Sequence, residues 1–282
     1  MKRRTTALYL FTALCAPACG GDDSSGAGEV RFTVWGEDYV EREIPAEVFA
    51  DGWSVTFSKF SIVVGDVTLA RGSGQGERLE GSSLFDLVAP GPHELGSLAA
   101  VPAGAWTRVG YSVVAAGGAT ALHPSATSDD LAWMRANGYA IYVEGRATRG
   151  EQSKGFAWGF DAGTRYADCV AESDGREVEG IVVTNGGTEV VELTIHGDHF
   201  FYDDLASSAA VPRFDAIAAA DTDADGELTL EELSAVRLVD IVAGSYGTGS
   251  ASAVNDLGAF VRAQAATLGH FRGEGHCVAR PL

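Results

Sequence analysis

The sequence predicts a mainly β chain: an antiparallel β-sandwich over residues 29–200, followed by a small helical region over 201–282. Three observations carry this. Apolar and polar residues alternate at period two in many short runs between Glu29 and Ile195. Glycine-rich turns separate those runs, and beyond Phe200 the apolar spacing becomes helical.

Val30, Phe32 and Val34 mark the first strand, and Trp53, Val55 and Phe57 the next. Phe60, Ile62 and Val64 then take the opposite phase, so a bulge or a change of sheet is expected near Ser58-Lys59. Further strands read at Trp106–Ala115, Tyr139–Thr148, Lys154–Phe160, Glu179–Thr184 and Glu189–His196. Turns fall at Arg71–Gly76, Pro90–Pro92 and Gly117–Gly118, and Asn185-Gly186 between two β-branched runs predicts a hairpin. Ser128, followed by Asp129 and Asp130, predicts a helix start. Such a series of short strands fits an Ig- or prealbumin-like sandwich. In the C-terminal region, a helix is expected to open at Pro212, another to carry Leu230, Leu233, Val236 and Val239, and a last one to start at Ser252.

Between the first two of these helices lies Asp221-Thr-Asp223-Ala-Asp225-Gly226-Glu227-Leu228-Thr229-Leu-Glu-Glu232. Ca²⁺ takes about six to eight oxygens, and this spacing supplies them from one segment. Asp221, Asp223 and Asp225 each offer a carboxylate oxygen, Glu227 its carbonyl, Thr229 a direct or water-bridged contact and Glu232 both carboxylate oxygens. Gly226 permits the sharp turn, and Leu228 belongs in a small apolar core. The segment resembles the EF-hand family over about thirty residues. The resemblance implies one calcium ion as cofactor, with no second hand in the chain.

The N-terminus reads as an export signal over residues 1–18: basic Lys2, Arg3 and Arg4, an apolar run Ala7–Leu14, then small residues before Cys19. It resembles a bacterial lipoprotein signal, which implies a lipid on Cys19, although Ala16 stands where leucine is usual. The alternative is ordinary cleavage near Ala18. Residues 19–28 would then tether the domain to the membrane, and Gly20 leans towards the outer membrane. Losing residues 1–18 takes the formal charge from −19 to −22. That excess argues against nucleic acid and against electrostatic docking on anionic membranes. Cys169 and Cys277 remain, and in an oxidising compartment they are most simply one disulfide.

His196, Asp198 and His199 concentrate imidazole and carboxylate, with His270 and His276 as candidate further ligands. Such a set suits zinc, copper or iron. If the strand continues through them, His196 and Asp198 share one side and His199 takes the other. The alternative is that these groups hydrogen-bond a strand-to-loop junction. His276 beside Cys277 would make a nucleophile pair only if Cys277 were free of a disulfide. No Gly-x-Ser-x-Gly, phosphate-binding glycine loop or His-Glu-x-x-His is present, so no enzyme is expected.

Three segments, Gly52–Phe60, Leu84–Leu87 and Val101–Trp106, resemble uncharacterised bacterial β-sandwich lipoproteins and, more distantly, the periplasmic copper-binding partners of methanobactin. The resemblance implies fold and location over residues 29–200. The expectation is therefore a lipid-anchored, calcium-binding extracytoplasmic module that meets the membrane through its lipid and takes a protein or glycan partner. The alternative is a periplasmic copper- or zinc-binding protein using His196, Asp198 and His199.

Overall fold

Alternating segments form strands in the computed structural model, which describes residues 26–74, 76–242 and 245–282. The signal and the Cys19 lipid site lie outside these residues. In chain order come β1 (Ala27–Trp35), α1 (Glu37–Glu41), β2 (Ser54–Ala70), β3 (Gly76–Asp86), β4 (His93–Pro102), β5 (Gly104–Trp106), β6 (Arg108–Val113), β7 (Ala121–Leu122) and α2 (Ser128–Asn137). Then follow β8 (Ile141–Arg149), β9 (Gln152–Phe160), β10 (Thr164–Ser173), β11 (Arg176–Glu179), β12 (Ile181–Val183), β13 (Thr188–Ile195) and a 3-10 helix (Gly197–Phe201). The chain closes with α3 (Asp215–Ala218), β14 (Glu227–Leu228), α4 (Leu230–Ala235), α5 (Leu257–Gln264), β15 (Gly269–Phe271) and β16 (His276–Pro281). β1 thus begins inside the expected tether.

The fold is mainly β, with several sheets and few short helices. One sheet runs β15-β13-β1-β4. A larger one runs β11-β10-β6-β2-β8-β9-β14, with β16 on β10, β3 on β2 and β7 on β3; β12 and β5 form a small third sheet. The inward residues of both main sheets belong to one apolar core, from Val30 and Phe32 to Phe60, Trp158, Leu193 and Phe271. The pairing is not wholly antiparallel as expected: β1–β13, β3–β7 and β9–β14 are parallel. Period-two alternation reports which face a residue takes and carries no information on strand direction.

The phase switch in β2 is a register shift against β8 between Phe57 and Lys59, within one continuous strand. Two other expected strands are divided. Trp106–Ala115 breaks at Thr107, where the chain leaves β5 for β6, and Glu179–Thr184 breaks at Gly180, between β11 and β12. Gly180 has φ +63°, and a Cβ there would lie 1.8 Å from the Trp106 carbonyl oxygen, so the two breaks face each other. Asn185-Gly186 turns as expected, with Gly186 at φ +70°. The strands it joins do not pair with each other, because β12 takes β5 and β13 takes β1.

Helix boundaries shift for local reasons. α2 does begin at Ser128 as expected, with Thr127 before it as the cap through a reciprocal capping box with Asp130. The helix expected at Pro212 begins at Asp215, because Pro212 bridges to Tyr202 and the Phe214 and Asp215 amides donate to Asp51 Oδ2. α4 stops at Ala235 because Arg237 bridges to Asp256, which leaves Val239 outside any α-helix and exposed. Asp256, not Ser252, caps α5 by accepting from the Ala259 amide at 2.7 Å.

Cys169 and Cys277 form a disulfide between the neighbouring strand β10 and the start of β16. It ties the chain beyond α5 to the larger sheet. No helix among the described residues is long and apolar enough to cross a membrane.

Candidate metal centre

Three imidazoles converge where β13 ends. The His196 amide donates to the Leu268 carbonyl at 2.9 Å, holding the strand end against the segment that enters β15. Gly197 then starts the 3-10 helix in a space where a Cβ would meet Val40 and Phe57 at 2.9 and 3.0 Å. A 3-10 helix has about three residues per turn, so side chains three apart eclipse. His199 therefore comes round beside His196, with ring centroids 5.7 Å apart, and does not oppose it as a continued strand would require.

Phe200 and Phe201 anchor this turn. Both are about 1% exposed and pack against Phe160 and Phe156 of β9. Burying a phenylalanine contributes about 1.5–3 kcal/mol, so the turn is held from the core side. β15 supplies the third ring, because Thr194 and His270 are register partners. The His270 ring lies 3.9 Å from that of His196 and 4.8 Å from that of His199. Each of the three offers a nitrogen within 4.8 Å of the others.

Hydrogen bonds select which nitrogens are available. The Thr267 hydroxyl donates to the Gln264 carbonyl at 2.9 Å and lies 3.0 Å from His199 Nδ1. Nδ1 is therefore engaged with this hydroxyl, which leaves Nε2 as the nitrogen open to a ligand. His196 Nε2 and His270 Nδ1 are buried and lack any partner. Buried nitrogens of this kind are satisfied by an ordered water or an ion. Burial pushes His196 and His270 down to about 4, and burial together with its two neighbours pushes His199 to about 3. All three are neutral near pH 7, the form that binds metals.

The expected Asp198 does not join the rings. It is buried, accepts from the Tyr202 hydroxyl at 2.9 Å and is pushed up to about 6, chiefly by burial. His276 is exposed, lies 3.6 Å from Glu177 and does not group with the three rings, although it borders the same cleft as His199 and His270. Reading the sequence missed two neighbours, Glu37 at the start of α1 and Glu274 in the turn between β15 and β16. Glu37 Oε2 lies 3.4 Å from His196 Nε2, and burial and nearby carboxylates, led by Glu274, raise Glu37 to about 7. Glu37 had only the preceding Gly36 as a sequence signal, whereas Glu274 sits in a legible Gly-Glu-Gly turn.

Far from the rings, the 221–232 loop gathers Asp221, Asp223 and Asp225 so that their oxygens lie within 4.8 Å of one another. Gly226 has φ +86°, and Leu228 is buried. Its short strand β14 pairs in parallel with β9 and so forms the edge of the larger sheet, and Trp158 Nε1 donates to the Leu228 carbonyl at 2.8 Å. Thr229 caps α4 in a capping box with Glu232. Glu232 Oε2 accepts from the Thr229 amide, while Glu232 Oε1 and Asp221 Oδ1 are buried without partners. The Glu227 side chain turns towards Arg146, 3.5 Å away. Lys154 of β9 pairs with Asp221 Oδ2.

The chain matches no known protein family and no curated protein. Among solved structures, MbnP from Methylosinus trichosporium is a distant match, with 11% identity and a TM-score of 0.34. The match covers 61% of this chain and 76% of that one.

Proposed function

We propose that the chain is a transition-metal-binding protein of the bacterial cell envelope, holding one ion at His196, His199 and His270. The single observation that carries the reading is the convergence of three neutral imidazoles, two of which, His196 and His270, keep a buried nitrogen without a hydrogen-bond partner. A donor set of three imidazoles suits copper or zinc. On this reading the sheets make an Ig- or prealbumin-like sandwich, a lipid on Cys19 holds it to the membrane, and the Cys169–Cys277 disulfide fits an oxidising compartment. Metal analysis of the full chain after mild chelation tests it. One equivalent of copper or zinc should be retained, and lost in His199→Ala and His270→Ala. Retention unaltered by both substitutions would reject the assignment.

A second reading concerns calcium at the 221–232 loop, supported by the buried, unpartnered oxygens of Asp221 and Glu232. With an ion present, these two oxygens gain the contact they lack, and Asp223, Asp225, the Glu227 carbonyl and Thr229 complete the shell. Affinity of about 10⁻⁴–10⁻³ M suffices outside the cytoplasm. Calorimetry should show one calcium site, abolished by Asp221→Ala or Glu232→Ala; equal heats in all three proteins would dismiss it.

A further inference from the structure

We propose that Glu37, Glu274 and His196 form a second cation position beside the histidine triad, suited to a hard divalent ion such as Mn²⁺. For its link to the triad this rests on the metal-binding reading above; for its own ligands it does not.

The geometry is independent of the other two rings. Glu37, His196 and Glu274 each offer a ligand atom within 4.8 Å of the others, a set separate from His196, His199 and His270. The His196 side chain is 7% exposed, and its unpartnered Nε2 faces Glu37. Among the described residues, neither carboxylate pairs with a lysine or arginine. Both sit on constrained backbone. Glu37 has φ +56°, and the turn carrying Glu274 holds Arg272 at +54° and Gly273 at +75°. A left-handed non-glycine residue is strained and persists where the surroundings impose it. The position opens to a cleft of about 240 Å³, bordered by Glu37, Tyr39, His196, Asp198, Tyr202 and Glu274. His199 and His270 line a neighbouring cleft, which shares Tyr202 and Glu274 with it.

Two carboxylates and one imidazole make an oxygen-rich set that favours Mn²⁺ over the softer ions suited to three imidazoles. His196 belongs to both sets, and its one unpartnered nitrogen serves one ion at a time. The two positions therefore compete, and filling the triad empties the carboxylate position.

Electron paramagnetic resonance titration with Mn²⁺ tests this on the full chain carrying Asp223→Ala and Asp225→Ala, which removes the calcium-type loop from the count. One bound Mn²⁺ is expected. Glu37→Gln and Glu274→Gln should each weaken it at least tenfold while Zn²⁺ uptake stays within twofold. One equivalent of Zn²⁺ should release the Mn²⁺, and His199→Ala should abolish that release while leaving Mn²⁺ bound. Mn²⁺ binding unchanged in both glutamine variants would overturn the second position. Zn²⁺ uptake indifferent to His199→Ala would instead remove the triad, so the two assignments fail separately.

Discussion

The imidazoles of His196 and His270 lie parallel, with centroids 3.9 Å apart and planes within 6°. One ends β13 and the other sits at the centre of β15, so the antiparallel pairing of those strands creates the contact. The stacked rings aim their in-plane lone pairs along parallel directions, so a shared ion requires one ring to turn about its side-chain bonds.

Thr267 orients the ring of His199 through its hydroxyl, which predicts an effect without loss of a ligand. Thr267→Val should weaken copper or zinc by about 10- to 100-fold, the usual cost of losing such an outer contact. Competition against a chromophoric chelator measures it, and Thr267→Ser should restore most of the affinity. A valine variant equal to wild type would show that the hydroxyl does not orient the ring.

Acid should destabilise the metal-free protein between about pH 6.5 and 4. The unfolded chain takes protons on histidine near pH 6.5, while the fold keeps His196 and His270 neutral to about 4 and His199 to about 3. In that window the unfolded state binds more protons, so stability falls as pH falls. Glu37, near 7, and Asp198, near 6, act oppositely, because the fold retains protons that the unfolded chain gives up above about 4. Burial raises Glu192 as well. The imidazoles are displaced further in total, so the melting temperature should drop on acidification. His199→Gln should flatten that slope, and parallel curves for the two proteins would count against a buried neutral His199.

Lys154 places an ammonium on Asp221, the first of the ligands proposed for calcium in the loop. Bound Ca²⁺ has to displace it, so Lys154→Met should tighten calcium by about three- to tenfold, the scale of a partly exposed ion pair. Calorimetry in parallel on the two proteins decides the point, with equal or weaker binding in Lys154→Met as the contrary result.

The Cys169–Cys277 bridge joins residues 108 apart in sequence. A loop of that size contributes up to about 4–5 kcal/mol by restricting the unfolded chain. Urea unfolding of Cys169→Ser/Cys277→Ser should show a clearly lower midpoint, and a reductant should shift the wild type to the same value. A reductant without effect on the wild type would mean that the bridge does not form.

Strand faces, the phase change at Phe57–Lys59 and the carboxylate grouping of the 221–232 loop were legible in the sequence. Each is a local pattern: alternation within one strand, or donors within one turn of chain. The cysteine pair was legible by elimination, since only two thiols were left to meet. Tertiary structure alone decided that β1 and β13 run parallel, that β12 turns away from β13, and that β15 returns His270 to the strand bearing His196. It also decided that His199 joins His196, because the strand yields to a 3-10 turn held by Phe200 and Phe201 in the core. Glu37 and Glu274 reached the same place from opposite ends of the chain. Periodicity encodes whether a side chain is buried, whereas its partner is chosen by the packing of the whole chain, and the histidine cluster is made of partners.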